Sequence, residues 1–287
     1  MDIGVGLPST IPGTSARQVL DWARAAEQAG FSSLGTLDRI VYGNLETIPT
    51  LAAVAAVTER IALTTAIMIG PYRGNGALLA KQLATVDNFA GGRLTVGIAV
   101  GARPDDFEAT ASPFEERGRR FDEQLAEMRA VWAGDGRGFA GAIGPSPVSA
   151  GGPPLLIGGG AAAAYRRMTE YGAGWISGGG GPDAFAQGAE RARQAWQEAG
   201  REGRPRQVAI AYVSLGADGA AHARSYLGDY YAFAGEYAER VASGALTSDQ
   251  QVADAIGAFA EHGCDELILF PCNADVGQVD LIAGAAR

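Results

Sequence analysis

"PPLLIGGGAAAAYRRM", Pro153 to Met168, is a short apolar run that halts on three glycines and continues as alanine-rich helix. Inside regular structure each glycine destabilises by roughly 0.5–1 kcal/mol relative to alanine. Three at one junction imply either a turn that needs positive φ or a partner that approaches the bare backbone closely. The strand-to-helix context favours the second. Gly159, Gly160 and Ala161 then present free amides at a helix N-terminus, where the positive end of the dipole favours an anion, most naturally a phosphate. The next unit, "WISGGGGPDAF" (Trp175–Phe185), repeats the device with Gly178 and Gly179, and places Pro182 in a first helical turn.

Outward from this junction the same alternation recurs. "IGVGLP" reads as a strand, followed by helix from Ser15 to Ala29 closed by Gly30. "FSSLGTL", "IALTTAIMI" and "RLTVGIAV" are strands, with helices "PTLAAVAAVTER", "GALLAKQLATVDNFA" and "FEERGRRFDEQLAEMRAVWAG" after them. Beyond a Gly/Pro-rich loop, Asp135–Pro154, come strand "PLLIGG", helix "AAAAYRRMTEY", strand "GAGWISGG" and helix "PDAFAQGAERARQAWQEAG". Strand "RQVAIAYVSLG", helical stretches over 220–243 and 248–262, strand "DELILFP" and helix "GQVDLIAGAA" finish the series. Eight strands, each followed by helix, predict a parallel sheet with helical crossovers. In a chain of 287 residues this favours one closed (β/α)8 TIM barrel over residues 1–287, with an extra helix in the region after Gly216.

The net charge of −9 and a pI of about 4.8 argue against a nucleic-acid or anionic-membrane surface, so any anionic ligand needs local donors. "MDIGVGLPST" lacks the basic and apolar regions of a signal peptide, and no run reaches the roughly 18 apolar residues of a membrane span. Two cysteines, Cys264 and Cys272, are too few for a disulfide framework or a zinc site. A cytoplasmic enzyme without a metal fits these features.

A barrel of this kind works at the C-terminal ends of its strands. Those ends read Leu37-Asp38-Arg39, Ile69 to Arg73, Val100 to Arg103, Gly158 to Gly160, Ser177 to Gly181, Ser214 and Pro271 to Asn273, with no histidine among them. His222 and His262 both fall in expected helices. Ser–His or Cys–His nucleophiles and His-based metal sites are thereby disfavoured, and a bound organic cofactor is expected to carry the chemistry. Gly158 to Ala163 also satisfies the dinucleotide pattern G-x-G-x-x-A, but the following strand ends in serine and glycines where that motif needs an acid for the ribose.

The segments "TERIALTTAIMIGPYRGNGALLAKQLATVDNFAGGRLTVGIAVG", "PFEERGRRFDEQLAEMRAVWAG", "PPLLIGGGA…YGAGWISGG" and "DELILFPCNADVGQVDLIA" resemble the bacterial luciferase-like family of flavin- and deazaflavin-dependent oxidoreductases. The resemblance spans nearly the whole chain. It implies FMN or the deazaflavin coenzyme F-420 at the strand C-termini, its phosphate on Gly158 to Ala161. It implies a non-proline cis peptide at Ala66-Ile67 beside the cofactor ring, and ring or ribityl contacts from Val100 and Gly101. Many members carry Asp-His after the second strand, where this chain has Asp38-Arg39. Arginine, permanently charged, is no proton shuttle at neutral pH. Asp38 and Arg39 are therefore expected as catalytic or cofactor-contacting groups, Arg39 holding an anionic substrate or charge on a reduced ring. The competing reading pairs Arg39 with Asp38 or a loop carboxylate. Tyr72 and Arg73 are candidate substrate contacts, and Arg103 with Asp105, Asp106 and Glu108 is expected to cap a helix. Trp175 is expected in the core.

The leading expectation is hydride transfer between reduced F-420 and a small organic substrate, since the chain lacks the long insertions of many luciferase-type monooxygenases. Monooxygenation with reduced FMN and O2 is the alternative, and a flavin-storing barrel a third. A separate enzyme would reduce the cofactor, and "LAAVAAV" (Leu51–Val57) offers a homodimer seam.

Overall fold

A computed structural model describes residues 1–287. Strands β1 (Asp2–Gly6), β2 (Ser33–Thr36), β3 (Ala62–Ile69), β4 (Leu94–Ala99), β5 (Leu155–Gly158), β6 (Gly174–Ser177), β7 (Arg206–Val213) and β8 (Glu266–Pro271) form a closed barrel in chain order. All neighbours are parallel, and β8 closes onto β1 with Asp2 beside Glu266 and Val5 beside Leu269. The β3–β4 register shifts between Thr65 and Met68, and within that shift the Ala66–Ile67 peptide is cis.

The helices arise where local chemistry starts and stops them. Ser15 accepts from Gln18 N and the Gln18 side chain reaches back to Ser15 N, a capping box that begins α1 (Ala16–Ala29). Gly30, at φ 87°, ends it. The inward stripe of α1 is Val19, Trp22, Ala23 and Ala26, all buried. α2 covers Thr47–Ala55, shorter at its C-terminus than the expected 49–60. The cause is Glu27, whose Oε1 accepts the amides of Glu59, Arg60 and Ile61 at 2.7–3.0 Å and so draws them out of helix. Within the alanine stretch, Leu51, Val54 and Ala55 turn inward onto the barrel, leaving Ala53 and Ala56 exposed.

α3 (Gly76–Phe89), the short α4 (Pro104–Ala109) and α5 (Arg117–Trp132) follow, then α6 (Ala162–Tyr171) and α7 (Gly181–Glu198). After β7 the chain makes α8 (Gly219–Tyr230) and α9 (Glu236–Ser243) before α10 (Asp249–Glu261) and α11 (Gly277–Ala285). The expected extra helix is thus two, α8 and α9. One apolar layer lies between barrel and helices. A second fills the barrel, with Leu156, Ile176, Ile268 and Phe270 inside and Tyr226, Leu227 and Tyr230 of α8 above. Close approach explains two strand glycines here. A Cβ on Gly6 or Gly35 would come within 2.2 or 2.8 Å of the Phe270 ring.

α5 and α6 are locked by Asp122, which accepts from Arg167 Nε at 2.7 Å and Arg166 Nη2 at 2.9 Å. Arg167 is buried, so removing the carboxylate strands a buried cation. We expect Asp122→Ala to destabilise by about 2 kcal/mol at neutral pH, less than a fully buried pair because the carboxylate is partly solvated. Burial works to raise the Asp122 pKa, and the two arginines outweigh it and hold it below the ordinary carboxylate value. Its contribution is therefore present above the unfolded value of about 4 and lost as pH falls through the lower folded one. Urea unfolding at pH 7 and pH 3 checks this: the wild-type–variant gap narrows in acid.

Candidate active site

A trough of about 640 Å³ opens at the strand C-termini. One wall is apolar, with Ile67 and Ile69 of β3 and Ala99 and Val100 at the end of β4. Gly158, Gly159 and Gly160 and, opposite, Ser177 and Gly178 form the glycine end. The N–H groups of Gly159, Gly160 and Ala161 donate to no protein acceptor, and Ala162 and Ala163 follow as the unpaired first turn of α6. Gly178, Gly179 and Gly180 likewise leave their amides free ahead of α7. The first turn is held from behind. Trp175 Nε1 donates to Gly159 O at 2.9 Å, with Gly159 at φ 116°, a conformation open to glycine. Trp175 itself is buried, as expected of a core residue.

Of the residues expected to bind cofactor, Ile67, Val100, Gly101, Gly158, Gly159, Gly160 and Gly178 line this trough together. Gly179 lines an adjoining cavity of about 310 Å³, which it shares with Tyr212, Tyr237 and Arg240. Ala161 stands beside the turn with its amide free. Ala66 is fully buried in the barrel interior and does not reach the trough.

Asp38 and Arg39 after β2 and Tyr72 and Arg73 after β3 are not among the side chains that line the trough. Asp38 is buried, and its four lone-pair positions are occupied. Oδ1 accepts from Thr47 Oγ1 at 3.0 Å and Arg73 Nη2 at 2.7 Å, and Oδ2 from Ile69 N at 2.8 Å and Tyr72 Oη at 2.7 Å. Burial alone would lower the Arg73 pKa, but Asp38 and Glu46 outweigh it and raise it. Asp38, Tyr72 and Arg73 thus form one closed network that fixes the end of β3.

Arg39 is also engaged by the protein. It donates to Tyr230 O at 2.9 Å and Val41 O at 2.7 Å, lies 3.6 Å from Asp105, and sits over the rings of Tyr42 and Tyr230. The carboxylate near Arg39 is Asp105 in the first turn of α4, where the competing reading named Asp38 or a loop carboxylate. Arg103 adds to the clamp, its guanidinium 3.7 Å from the Phe233 ring and 3.4 Å from Tyr230 O. Two cations at the C-terminus of α8 complement its dipole and pin the α8–α9 cover over the mouth. Asp106, expected only to cap α4, accepts from Ile40 N and Val41 N at 3.0 and 2.7 Å and so fastens α4 to the loop after β2.

The ionisable side chains that do line the trough are Tyr165, Arg191, Tyr231 and Tyr237. Reading strand ends alone passes over all four, because they lie on helices or the cover. Four tyrosines within residues 226–237 were the available signal. Tyr231 Oη is 2.7 Å from Tyr212 Oη. Burial pushes Tyr231 up to about 12, while the hydrogen bond with Tyr212 and the Arg39 charge pull the other way. Tyr212, wholly enclosed, lies well above the ordinary phenol value. Either hydroxyl of this pair can donate to the other, so a proton can pass along it in either direction.

The sequence profile of the family described as luciferase-like monooxygenase matches residues 1–283. An uncharacterised protein of Mycobacterium tuberculosis is 33% identical over 209 residues, covering 62% of this chain and 71% of its own. The FMNH(2)-dependent dimethylsulfone monooxygenase of Pseudomonas putida is 34% identical over 127 residues, 42% of this chain and 34% of that enzyme. Among solved structures, an F420-dependent secondary alcohol dehydrogenase in complex with an F420-acetone adduct superposes with a TM-score of 0.80 at 18% identity, covering 100% of this chain and 99% of that one.

Proposed function

The chain belongs to the luciferase-like monooxygenase family of flavin- and deazaflavin-dependent oxidoreductases, and from that premise we propose that it moves a hydride between reduced F-420 and a small organic substrate. The observation that carries this reading is the trough itself, with free amides at one end, an apolar wall along its length and, on its cover, Tyr231 paired with Tyr212 of β7. The residues fit such a group. A Cβ on Gly158 would stand 3.0 Å from Ile67 Cδ1, whereas one on Gly160 would meet nothing within 4 Å. The first glycine therefore admits the wall and the second leaves room for an anion. Gly159 to Ala163 would hold the phosphate, Ile67 and Val100 would bear the ring, and Gly101, at φ 77°, would turn the chain away beneath it.

When bound, the deazaflavin supplies a two-electron hydride couple. The chain's own part is to position and to manage a proton. Tyr231 Oη–H gives its proton to a substrate oxygen that turns basic during reduction, and Tyr212 Oη–H restores it. Tyr212 also lines the adjoining cavity of about 310 Å³, which offers the pair a way to exchange with solvent. Arg39, through its charge beside Tyr231, is a positioning residue and not a substrate contact.

The second reading, monooxygenation with reduced FMN and O2, draws support from the relative whose name states FMNH(2) dependence. Anaerobic titration with each cofactor separates the two. The leading reading expects micromolar or tighter binding of F-420 and weak binding of FMN, and the reverse order would replace it. A separate reductase would supply the reduced cofactor in either case. A homodimer through the exposed Ala53 of α2 and Ala56 just beyond its end completes the proposal, and a monomer in sedimentation at micromolar protein would remove that part alone.

A further inference from the structure

We propose that the trough continues past the phosphate turn into a subsite for a carboxylate-bearing tail, with Arg191 as its cation. This rests on the deazaflavin reading above and gives that cofactor a recognition element that FMN cannot use. From Gly158–Gly160 the trough runs outward between α6 and α7, along Tyr165 on one side and Ala184, Gln187 and Arg191 on the other. Tyr165 and Arg191 also border an open groove of about 520 Å³ that extends down the same crevice past Thr169 and Gln194. The two spaces meet at the Tyr165 and Arg191 side chains.

Helix packing places Arg191 there. A Cβ on Gly188 would strike the Trp175 ring at 2.3 Å, so α7 lies flush against the indole that also holds Gly159 O. Arg191, three residues on and hence on the same helix face, is carried into the crevice beside that turn. It makes no ion pair, although Arg193 on the same helix bonds Glu190 at 2.7 Å and Arg166 across the groove bonds Asp122 at 2.9 Å. Tyr165 is itself buried, and its hydroxyl has no hydrogen-bond partner. Arg191 stands beside that hydroxyl: burial raises the Tyr165 pKa, and the charge and close approach of the guanidinium oppose it. A guanidinium with no carboxylate partner, in a chain of net charge −9, is a local site for an anion that the overall field repels.

Cofactor chemistry identifies the anion. FMN ends in a phosphate monoester, which the glycine-turn amides would hold. In F-420 the phosphate is a diester that continues through a lactyl group into glutamates, placing carboxylates several bonds further along. Arginine matches a carboxylate bidentately. The test measures dissociation constants, by fluorescence titration, of oxidised F-420 with its glutamate tail, of the tail-less phospholactyl form and of FMN. Wild type, Arg191→Ala and Arg191→Lys are compared. Arg191→Ala is expected to weaken the tailed form about tenfold and leave the tail-less form within twofold, with Arg191→Lys intermediate. Equal losses for all three cofactors would assign Arg191 to the phosphate and overturn the proposal, as would unchanged affinity for the tailed form. A wild type that binds neither deazaflavin form overturns the underlying reading instead, and shows it before any substitution is made.

Discussion

Gly160→Asp lowers cofactor affinity by on the order of a hundredfold or more relative to Gly160→Ala, while both variants keep the wild-type fold. The two substitutions differ in charge, not in strain. Gly160 has ordinary negative φ, and an added Cβ finds nothing within 4 Å. Alanine is therefore tolerated, and the methyl group does not itself close the turn. Aspartate places a carboxylate where the amides of Gly159, Gly160 and Ala161 have no other acceptor. It competes for those donors and repels an incoming phosphate across a few ångströms, where like charges interact strongly even near a protein surface. Gly159 would be a poorer test, because at φ 116° any side chain adds backbone strain to the effect being measured. Circular dichroism and thermal melting establish the fold of each variant, and titration gives the affinity.

Tyr231→Phe is expected to slow turnover by roughly 10²–10³-fold with cofactor affinity nearly unchanged, the size typical of a lost general acid. The ring remains in place, in edge contact with Tyr237 at 5.8 Å and stacked on Phe233 at 6.3 Å, so packing of the cover survives. What goes is one hydroxyl and its 2.7 Å bond with Tyr212. Tyr212→Phe should produce a smaller fall, because Tyr231 keeps its own proton and loses only the partner that restores it. Turnover of Tyr231→Phe within threefold of wild type would show that the proton comes from elsewhere. Arg39→Ala gives a different signature, a loosened cover together with slower turnover, because its guanidinium holds the Tyr230 carbonyl as well as acting on Tyr231.

These expectations show which parts of the site the sequence made legible. The barrel followed from alternation, and the glycine turns from their position between strand and helix. Val100, Gly101 and Ile67 came through family resemblance and do meet in one trough. Asp38 and Arg39 were correctly placed at the end of β2, but sequence position carries no information on whether a polar group faces ligand or protein. Only the packing reveals that Arg73 and Tyr72 satisfy Asp38 and that the α8 terminus captures Arg39. Tyr231 and Arg191 were illegible for a related reason. Both reach the mouth from elements that fold back over it or stand beside it, through contacts between residues far apart in the chain.

A crystal of the protein soaked with F-420 addresses the central claim most directly. The account predicts phosphate density within hydrogen-bond distance of the Gly160 and Ala161 amides, with the ring against Ile67 and Val100 and the Tyr231 hydroxyl over the substrate side. A phosphate bound away from the α6 N-terminus, or a ring lying outside the trough, would contradict it.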